Sequence, residues 1–571
     1  MRLPIINTAL FVLSALGIAG VSAQAPPNRV VDPTVFPKIK PSNKLEWTDC
    51  YEVFKCARLS VPGKLRGRPS KDRIQIAIIR LPYKRVNESM PAESLGTIHV
   101  QLGGWSASST VELPSPFGES FTPLFAGYEL LAIDYRGYGW SPPSINCFTS
   151  EQERQTYALS EPPLLGSSAN SADVWDARGK DFSSRCATNA ANAVKYAGSY
   201  AAAADHVAVM KAMGQHKINF WAVTSGAVVA STVAYKWPQH VGKILLDAPA
   251  PASLSYTSTT AQAYAIQDAD KALTAFLYIC LKADPKGPTP CNFTGASTTL
   301  ADIRGRFDKI EADLKRRTDG GIAVQGFERR FDWSVFKYVE SLPLFVPALF
   351  PVLAGVLSEL ESGQYAGFVP FALANFTYQP VPPLPMLTED PTFDGLLAGA
   401  CIDATKPPRT RAQFDAYYAD LEQRVPSVAP LFAGAPLTCK SWGVRTVNRC
   451  CGPYAADIGK HGGKVVILNN VADPASSVEN ARRIRDSFKG AAAVVESVVA
   501  GHTSFVATSD CLNKVIFEFF ATGTVPKDGL RCEGAHAQAF GVPLPGDFRK
   551  GGLLCGACRV LPASVSCCCT E

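Results

Sequence analysis

Residues 219–226 could carry a nucleophile, because a short apolar run enters a tight turn there and leaves it as a helix. The run reads Asn-Phe-Trp-Ala-Val-Thr-Ser-Gly, and a helix is predicted over Ala227–Trp237. A strand, a turn and a helix in this order can present a side-chain hydroxyl at the tip of the turn, where it can attack a carbonyl carbon. Two hydroxyls, those of Thr224 and Ser225, are adjacent at this tip. The chemistry they could support is acyl transfer.

Steric considerations favour Thr224 over Ser225 as the residue at the tip. The strand and helix backbones approach closely at such a turn, so the residues two before and two after the nucleophile must be small. Around Thr224 these are Ala222 and Gly226, whereas Ser225 would place the β-branched Val223 at the crossing. We therefore predict Thr224 in the nucleophile position, with Ser225 supplying one backbone N–H of an oxyanion hole. The alternative is an ordinary strand–turn–helix unit without chemistry.

A hydroxyl nucleophile needs a general base, and it needs a carboxylate that fixes the tautomer of that base. His502 follows one predicted strand of the C-terminal half, and Asp473 follows the preceding strand. We predict His502 as the base and Asp473 as the acid. His536 is a less favoured base, because it lies in a Gly/Ala-rich stretch that no strand precedes. Taken alone, Asp473 before Pro474 would be an ordinary turn residue.

The second oxyanion donor is expected in the loop that follows an early strand. The sequence Gly103-Gly104-Trp105 comes directly after the predicted strand Thr97–Leu102. A glycine pair allows the backbone to approach the reacting group closely, and backbone N–H groups are the donors such a hole uses. Gly104 and Trp105 are therefore the predicted donors from this loop.

Strands and helices alternate on both sides of a different central region. The predicted strands are Ile74–Leu81, Thr97–Leu102, Tyr128–Asp134, Ile218–Val223, Lys243–Asp247, Lys464–Asn469 and Ala491–Val499. The predicted helices between and after them are Tyr200–Met213, Ala227–Trp237, Ser477–Phe488 and Asn513–Ala521. This alternation predicts an α/β fold with a doubly wound, mostly parallel sheet.

The central region, residues 249–437, has helical patterns joined by proline-rich segments and no strand alternation. Its predicted helices are Ala261–Leu281, Leu300–Arg316 and Arg411–Arg424. We interpret it as a mainly helical cap inserted between two parts of the core, residues 42–248 and 438–540. Residues 1–23 are predicted as a signal peptide, and residues 541–571 form a Cys-rich tail to which we assign no function.

Several features predict a secreted glycoprotein. The first 23 residues combine Arg2, an apolar run and a small-residue exit, as secretory signal peptides do. Most of the 17 cysteines should then pair, beginning with a local disulfide between Cys50 and Cys56. The glycosylation sequons begin at Asn87, Asn292 and Asn375. The alternative for residues 1–23 is an uncleaved membrane anchor.

Composition argues against several other classes of protein. The net charge is +6 over 571 residues, with no basic run, so nucleic acid is not an expected partner. The apolar segment Leu344–Leu357 is too short for a stable membrane span and is broken by two prolines. Cys555-Gly-Ala-Cys558 has no neighbouring histidine, so disulfides are expected there rather than metal. We predict no cofactor and no metal, and the oligomeric state is left open.

Taken together, these residues resemble the secreted α/β hydrolases of the tripeptidyl aminopeptidase and prolyl iminopeptidase-like family, over about residues 47–540. The motifs that carry the resemblance are Trp47, Cys50, Cys56-Ala57, Val61-Pro62, Gly103-Gly104, Asp134-Tyr135-Arg136-Gly137-Tyr138-Gly139-Trp140-Ser141, the turn at residues 219–226 (called the elbow below), Trp237-Pro238, Val241, Leu246-Asp247, Asp473-Pro474, Gly501-His502, Ser509-Asp510-Cys511, Gly523-Thr524, Pro526 and Cys532-Glu533. The resemblance implies the α/β-hydrolase fold and a Ser–Asp–His triad that releases short peptides or residues from free N-termini. It assigns the acid to Asp473 and the base to His502.

The chain departs from that family at the nucleophile and at the oxyanion loop. The family pattern Gly-Phe-Ser-Tyr-Gly is replaced by residues 222–226, Ala-Val-Thr-Ser-Gly, so a threonine stands where the family has its serine. Three functions remain open. The chain could be a slow or substrate-shifted hydrolase of peptide or amide bonds that uses Thr224. It could be an inactive relative that binds peptides or small ligands. It could also be a secreted esterase whose apolar segment Phe345–Leu357 admits lipid.

Overall fold

A computed structural model describes residues 32–65, 71–85, 88, 90–103, 108–125, 127–256, 258–260, 262–376, 392–404, 407–449, 454–507, 509–533 and 539–548. Several predictions fall outside these residues. They concern the signal peptide over 1–23, Asn87, the oxyanion donors Gly104 and Trp105, the alternative base His536, and the tail beyond residue 548.

The described residues contain a single ten-stranded sheet. Its strands are β1 (Thr48–Cys50), β2 (Phe54–Pro62), β3 (Arg73–Leu81), β4 (Thr97–Gln101), β5 (Glu129–Ile133), β6 (Ile218–Val223), β7 (Val241–Asp247), β8 (Lys464–Ala472), β9 (Ala492–Ala500) and β10 (Leu530–Cys532). Their order across the sheet is β1-β2-β3-β5-β4-β6-β7-β8-β9-β10. The pairs β1–β2, β2–β3 and β3–β5 are antiparallel, and all the other pairs are parallel. The carboxyl ends of β6, β7, β8 and β9 therefore meet at one edge.

Helices cover both faces of this sheet. The α-helices outside the central region are Val35–Lys38, Ser109–Glu112, Pro116–Phe121, Glu151–Leu159, Ser171–Asn189, Ala191–Val194, Ser199–Ala212, Gly226–Lys236, Val478–Asp486 and Asp510–Thr522. Alternate residues of one strand enter different cores, because successive strand side chains point to opposite faces. In β6, for example, Phe220 and Ala222 pack with the helix Gly226–Lys236, whereas Trp221 and Val223 pack with the helix Asp510–Thr522.

The segment between β7 and β8 is helical and is called the helical insertion below. Its described α-helices are Ala252–Ser255, Gln262–Ala265, Ala269–Lys282, Leu300–Arg316, Trp333–Phe345, Phe350–Ser362, Phe368–Phe376, Thr392–Ile402, Arg411–Arg424, Ala429–Phe432 and Ala435–Lys440. Short 3₁₀ helices among all the described residues are Thr122–Phe125, Pro238–His240, Ile266–Asp268, Pro347–Leu349, Ile458–His461, Ser504–Val506 and Ala539–Gly541. Extended pairing within the described insertion is confined to one isolated bridge, between Ile322 and Phe331.

The predicted elements agree with the observed ones to within three residues at most ends, and two of the differences concern the helical insertion and the strand before Asp473. The helix predicted over Ala261–Leu281 is interrupted by the 3₁₀ turn Ile266–Asp268. Strand β8 was predicted to end at Asn469 but continues to Ala472, so that Asp473 follows it directly. The asparagines at 469 and 470 are tolerated inside the buried strand because each amide NH₂ donates to two backbone carbonyls.

All ten described cysteines form disulfides. The pairs are Cys50–Cys56, Cys147–Cys186, Cys280–Cys291, Cys401–Cys439 and Cys511–Cys532. The predicted local disulfide at the first strands is thereby confirmed. A search of the described helices finds none with both the length and the apolar character that crossing a bilayer would require.

Candidate active site

Thr224, rather than Ser225, has the backbone conformation of the turn tip. Its φ is +50°, which is uncommon for a β-branched residue, whereas Ser225 has φ −68° and precedes the helix Gly226–Lys236. The Thr224 N–H donates to the carbonyl of Asp247 (2.9 Å), and its own carbonyl accepts the N–H groups of Ala227 (3.1 Å) and Ala250 (3.0 Å). The turn is thus held to the ends of both neighbouring elements, which allows a strained φ to persist.

The small residues around the tip are required by close packing. A Cβ on Gly226 would lie 2.9 Å from the carbonyl oxygen of Gln101, the last residue of β4, and 3.0 Å from its Cγ. Ala222 is fully buried. The helix that follows the turn therefore begins against the end of β4. The position of Ser225 at the N-terminus of this helix also gives its backbone N–H the orientation that favours an anion.

The structure brings Asp473 and His502 together. His502 Nδ1 lies 2.9 Å from Asp473 Oδ1 and 3.0 Å from Oδ2. Asp473 is fully buried, and 8% of the His502 side chain is exposed. A carboxylate on Nδ1 holds the proton there and leaves Nε2 as the basic nitrogen. The pair has the geometry of an acid that orients a base.

Three backbone N–H groups further fix the Asp473 carboxylate. Oδ1 accepts the N–H groups of Ala475 (2.8 Å) and Ser476 (2.9 Å), and Oδ2 accepts that of Thr503 (3.3 Å). With the histidine, four donors face the two oxygens. Such donors leave the carboxylate one orientation.

The helical insertion contacts His502 directly. The backbone N–H of His502 donates to the backbone carbonyl of Phe345 (2.9 Å). The ring of Phe345 also meets the imidazole edge-on, with the two ring centroids 5.5 Å apart. Phe432, also in the insertion, stacks on Phe345 at 6.3 Å. A Cβ on Gly501 would lie 2.6 Å from a ring carbon of Pro347. The insertion thus packs closely against the loop that carries the histidine.

Sequence reasoning did not assign Asp247 to the site. It is the last residue of β7 and is 1% exposed, and its carboxylate accepts the Ser504 N–H (2.9 Å) and hydroxyl. The pKa of Asp247 is raised to about 6: burial is the main cause and the Asp473 carboxylate adds to it, while the Ser504 hydrogen bonds and His502 act in the opposite direction. Two sequence signals pointed to Asp247, its place at a strand end and its presence in the Leu246-Asp247 motif of the family resemblance, but neither indicated its bonds to Ser504.

The Asp134–Ser141 motif has a structural explanation in the described residues. The buried Asp134 carboxylate accepts the Ser108 hydroxyl (3.0 Å), the Thr110 N–H (3.1 Å) and hydroxyl (2.8 Å), and the Trp140 N–H (2.8 Å). A Cβ on Gly139 would lie 2.3 Å from this carboxylate, so only glycine fits. These bonds tie the motif to residues just beyond the predicted oxyanion loop.

Arg136 of the same motif is buried against Asp205. Its Nε and one terminal nitrogen each lie 2.6 Å from a carboxylate oxygen, and the other terminal nitrogen donates to the carbonyl of Gly63 (2.9 Å). The pair is 2% and 1% exposed. This ion pair joins the Asp134–Ser141 motif to the helix Ser199–Ala212.

Among the described residues, no group of three or more His, Cys, Asp or Glu side chains has the arrangement of a metal site. Of the sequon asparagines, Asn292 is exposed, and Asn375 lies in the helix Phe368–Phe376. The apolar segment named in the esterase hypothesis is largely buried, including Phe345, Leu349, Phe350, Leu353 and Leu357. Its side chains are therefore part of the core of the insertion.

Comparison with known proteins is consistent with this geometry. Residues 101–284 match the family described as "alpha/beta hydrolase fold", and residues 426–532 match the family described as "TAP-like protein". Serine protease Hip1 of Mycobacterium tuberculosis is 24% identical over 516 residues, covering 86% of this chain and 91% of that protein. Tripeptidyl aminopeptidase of Streptomyces lividans is 20% identical over 504 residues, covering 86% of both chains.

A thermophilic esterase from Thermogutta terrifontis covers 81% of this chain and 97% of its own, at 12% identity and a TM-score of 0.33, which is too low to support an inference. The two family matches cover both parts of the core, and the relatives span most of the chain. The predicted fold and family resemblance are confirmed: this chain carries a match to the α/β hydrolase fold and a match to TAP-like proteins, and its relatives support a TAP-like α/β hydrolase family.

Proposed function

We propose that this protein is a secreted hydrolase that cleaves peptide or amide bonds near free N-termini, with Thr224 as nucleophile, His502 as general base and Asp473 as orienting acid. The observation that carries the proposal is the Asp473–His502 pair, at 2.9 Å, on the same sheet edge as the Thr224 turn. A protein that only bound ligands would not need a buried carboxylate on Nδ1 of a histidine that is itself almost fully buried.

In the proposed reaction, the Thr224 hydroxyl attacks the scissile carbonyl carbon and His502 Nε2 accepts its proton. The C–N bond then breaks, and the imidazolium returns that proton to the leaving amine. Water repeats the sequence on the acyl-threonine and restores the hydroxyl. The N–H of Ser225 is the proposed oxyanion donor from the elbow, and Gly104 and Trp105 remain the proposed donors from the early loop.

Threonine should make this reaction slower than a serine would. At φ +50° the Thr224 methyl group limits the rotamers that its hydroxyl can use, and strain of this kind costs about 1–3 kcal/mol. Among the described groups, the hydroxyl has no hydrogen-bond partner in this structure. Complete loss of a triad nucleophile costs on the order of 10⁶ in turnover, so a threonine should fall between that limit and a normal enzyme.

Peptide substrates are proposed from the family, since its relatives are named as a serine protease and a tripeptidyl aminopeptidase. Secretion is proposed from the signal peptide predicted over residues 1–23, and five disulfides support it, because such bonds persist in oxidising compartments. Glycans at Asn87, Asn292 and Asn375 are proposed from the sequons.

The proposal is tested with matched tripeptide anilides whose amino terminus is free or acetylated, assayed on the native protein, Thr224→Ser and His502→Ala. We expect slow release from the free peptide, faster release by Thr224→Ser, and none by His502→Ala or from the acetylated peptide. A short-chain ester turned over while both anilides are untouched would favour the esterase instead. If native protein and Thr224→Ser both fail on every substrate, the inactive ligand-binding relative is the better description.

A further inference from the structure

Asp247 is bonded to both halves of the proposed site. Its backbone carbonyl accepts the Thr224 N–H at 2.9 Å, at the tip of the turn. Its carboxylate accepts two hydrogen bonds from Ser504, two residues after His502. One buried residue thus connects the backbone of the nucleophile to the loop that carries the base.

The loop from 501 to 504 needs such a connection because its backbone is strained. Gly501 has φ +101° and Thr503 has φ +71°, so a non-glycine residue follows the histidine in a left-handed conformation. Asn470 binds the carbonyls of both residues from β8, at 2.9 and 2.7 Å. These two bonds hold the loop to β8. Ser504 is instead held by Asp247 of β7, the strand next to β6 and the Thr224 turn.

We infer that Asp247 is a positioning residue, which sets the distance between the Thr224 hydroxyl and His502 through its two hydrogen bonds to Ser504. The inference rests on the proposed function. Asp247 touches neither the base nor the acid through a hydrogen bond, so it acts through the backbone of the loop. A misplacement of about 1 Å between catalytic groups can cost on the order of 10²-fold in rate.

The hydrogen bonds between Asp247 and Ser504, called the tether below, can be separated experimentally from the negative charge of the Asp247 carboxylate. Each carboxylate oxygen faces one donor of Ser504, the N–H on Oδ1 and the hydroxyl on Oδ2. Asparagine can keep both contacts, because its oxygen accepts the N–H while its NH₂ donates to the hydroxyl oxygen. Alanine removes both. A tether therefore predicts that Asp247→Asn retains most of the rate and that Asp247→Ala loses it.

The test measures the second-order rate constant for fluorophosphonate labelling in the native protein and in the Thr224→Ser background. We expect Asp247→Ala to be slower by on the order of 10²-fold, Ser504→Ala by about tenfold because it keeps its N–H, and Asp247→Asn by less than about threefold. The double variant Asp247→Ala/Ser504→Ala should be no slower than Asp247→Ala, since both changes break one connection.

Asp403 provides a matched control. It is 3% exposed, and its carboxylate accepts the N–H (2.8 Å) and the hydroxyl (2.6 Å) of a single serine, Ser199. Asp403→Ala therefore removes the same set of bonds, but these bonds lead to the helix Ser199–Ala212 rather than to the histidine loop. It should lower the thermal midpoint without slowing labelling. Equal slowing by both alanine variants would overturn the inference.

If the probe labels none of the proteins, the proposed function has failed but the positioning role has not yet been tested. A second measurement then tests that role without any reaction. The hydrogen-bonded Nδ1 proton of His502 gives a low-field ¹H NMR line, assigned by its loss in His502→Ala. We expect this line to shift or broaden in Asp247→Ala and to be unchanged in Asp247→Asn and Asp403→Ala. An unchanged line in Asp247→Ala, additive effects of the two alanines on labelling, or equal slowing by Asp247→Asn and Asp247→Ala would each refute the positioning role.

Discussion

Replacing Asp473 with asparagine should abolish the reaction while leaving the fold nearly intact. In the native structure, Oδ1 accepts the N–H groups of Ala475 and Ser476, and the His502 ring lies between the two oxygens. The asparagine oxygen in the Oδ1 place keeps the two backbone bonds. Its NH₂ group then stands in the Oδ2 place, 3.0 Å from Nδ1 and 3.3 Å from the Thr503 nitrogen.

This arrangement inverts the tautomer of His502. The amide oxygen is already engaged by the N–H groups of Ala475 and Ser476, and the amide NH₂ can only donate. We therefore expect Nδ1 to become an acceptor and the ring proton to move to Nε2, where it blocks proton abstraction from Thr224. The loss expected for a wrong tautomer is about 10⁴-fold in kcat, equivalent to about 5 kcal/mol of transition-state stabilisation. The folding cost should be much smaller, about 1–2 kcal/mol, because two of the four hydrogen bonds to the side chain persist.

The assay compares labelling and tripeptide hydrolysis by Thr224→Ser with those by Thr224→Ser/Asp473→Asn, since the serine background gives the larger signal. Asp403→Asn, at another buried carboxylate, is the control for folding, and urea unfolding reports the stability of each variant. If the double variant kept more than a tenth of the activity of its parent, His502 would not depend on Asp473 for its tautomer, and the reasoning would be refuted.

Three further predictions concern the frame of the site. Gly226→Ala should lower the free energy of unfolding by about 1–3 kcal/mol and slow labelling, because its Cβ meets the backbone of Gln101 at 2.9 Å; an unchanged urea midpoint would contradict this. Asp205→Ala should cost about 3–5 kcal/mol in urea unfolding, since it leaves a buried guanidinium unpaired. The third prediction concerns two buried histidines, His99 and His206, whose Nδ1 atoms lie 2.9 Å apart. Burial lowers the pKa of His99 to about 3 and the pKa of His206 well below its usual value, so the stability of the fold should depend on pH. Their neutral forms stabilise the fold above pH 6.5, and about 4 kcal/mol should be lost on going from pH 7.5 to pH 5 as the unfolded chain takes up protons; replacing both with Phe and Leu should flatten that slope.

The site was predictable from the sequence where position along a strand determines position in space. Thr224, Asp473 and His502 each follow a strand of a parallel sheet, so their convergence on one edge follows from the strand assignments alone. The choice of Thr224 over Ser225 likewise follows from the small neighbours that the crossing of β4 and the helix requires. Local pattern and chain order were sufficient for these residues.

Tertiary bonding was not predictable in the same way. The predicted strand ended at Asn469, but β8 continues through Asn470 to Ala472, because the amides of both asparagines donate to carbonyls of the neighbouring loops. The link from Asp247 to Ser504 joins residues 257 positions apart, and no spacing in the sequence indicates it. Disulfide partners such as Cys147 and Cys186, 39 residues apart, are similarly outside what cysteine counting can decide.

The strain at the site is distributed over the ends of three strands at the same edge of the sheet. Thr224 after β6, Ala248 after β7 and Thr503 after β9 all have positive φ values, of +50°, +45° and +71°. Non-glycine residues adopt this conformation at a cost, and such residues concentrate where the surrounding structure fixes a functional geometry. The structure around Thr224 therefore constrains the turn from the neighbouring strand ends as well as from β6.

The central claim, that Thr224 is the nucleophile, is tested most directly by fluorophosphonate labelling of the native protein followed by mass spectrometric mapping of the adduct. The account predicts a single adduct on Thr224, formed slowly, absent in His502→Ala and formed faster on the serine of Thr224→Ser. An unlabelled native protein beside a strongly labelled Thr224→Ser, or an adduct on Ser225, would contradict it.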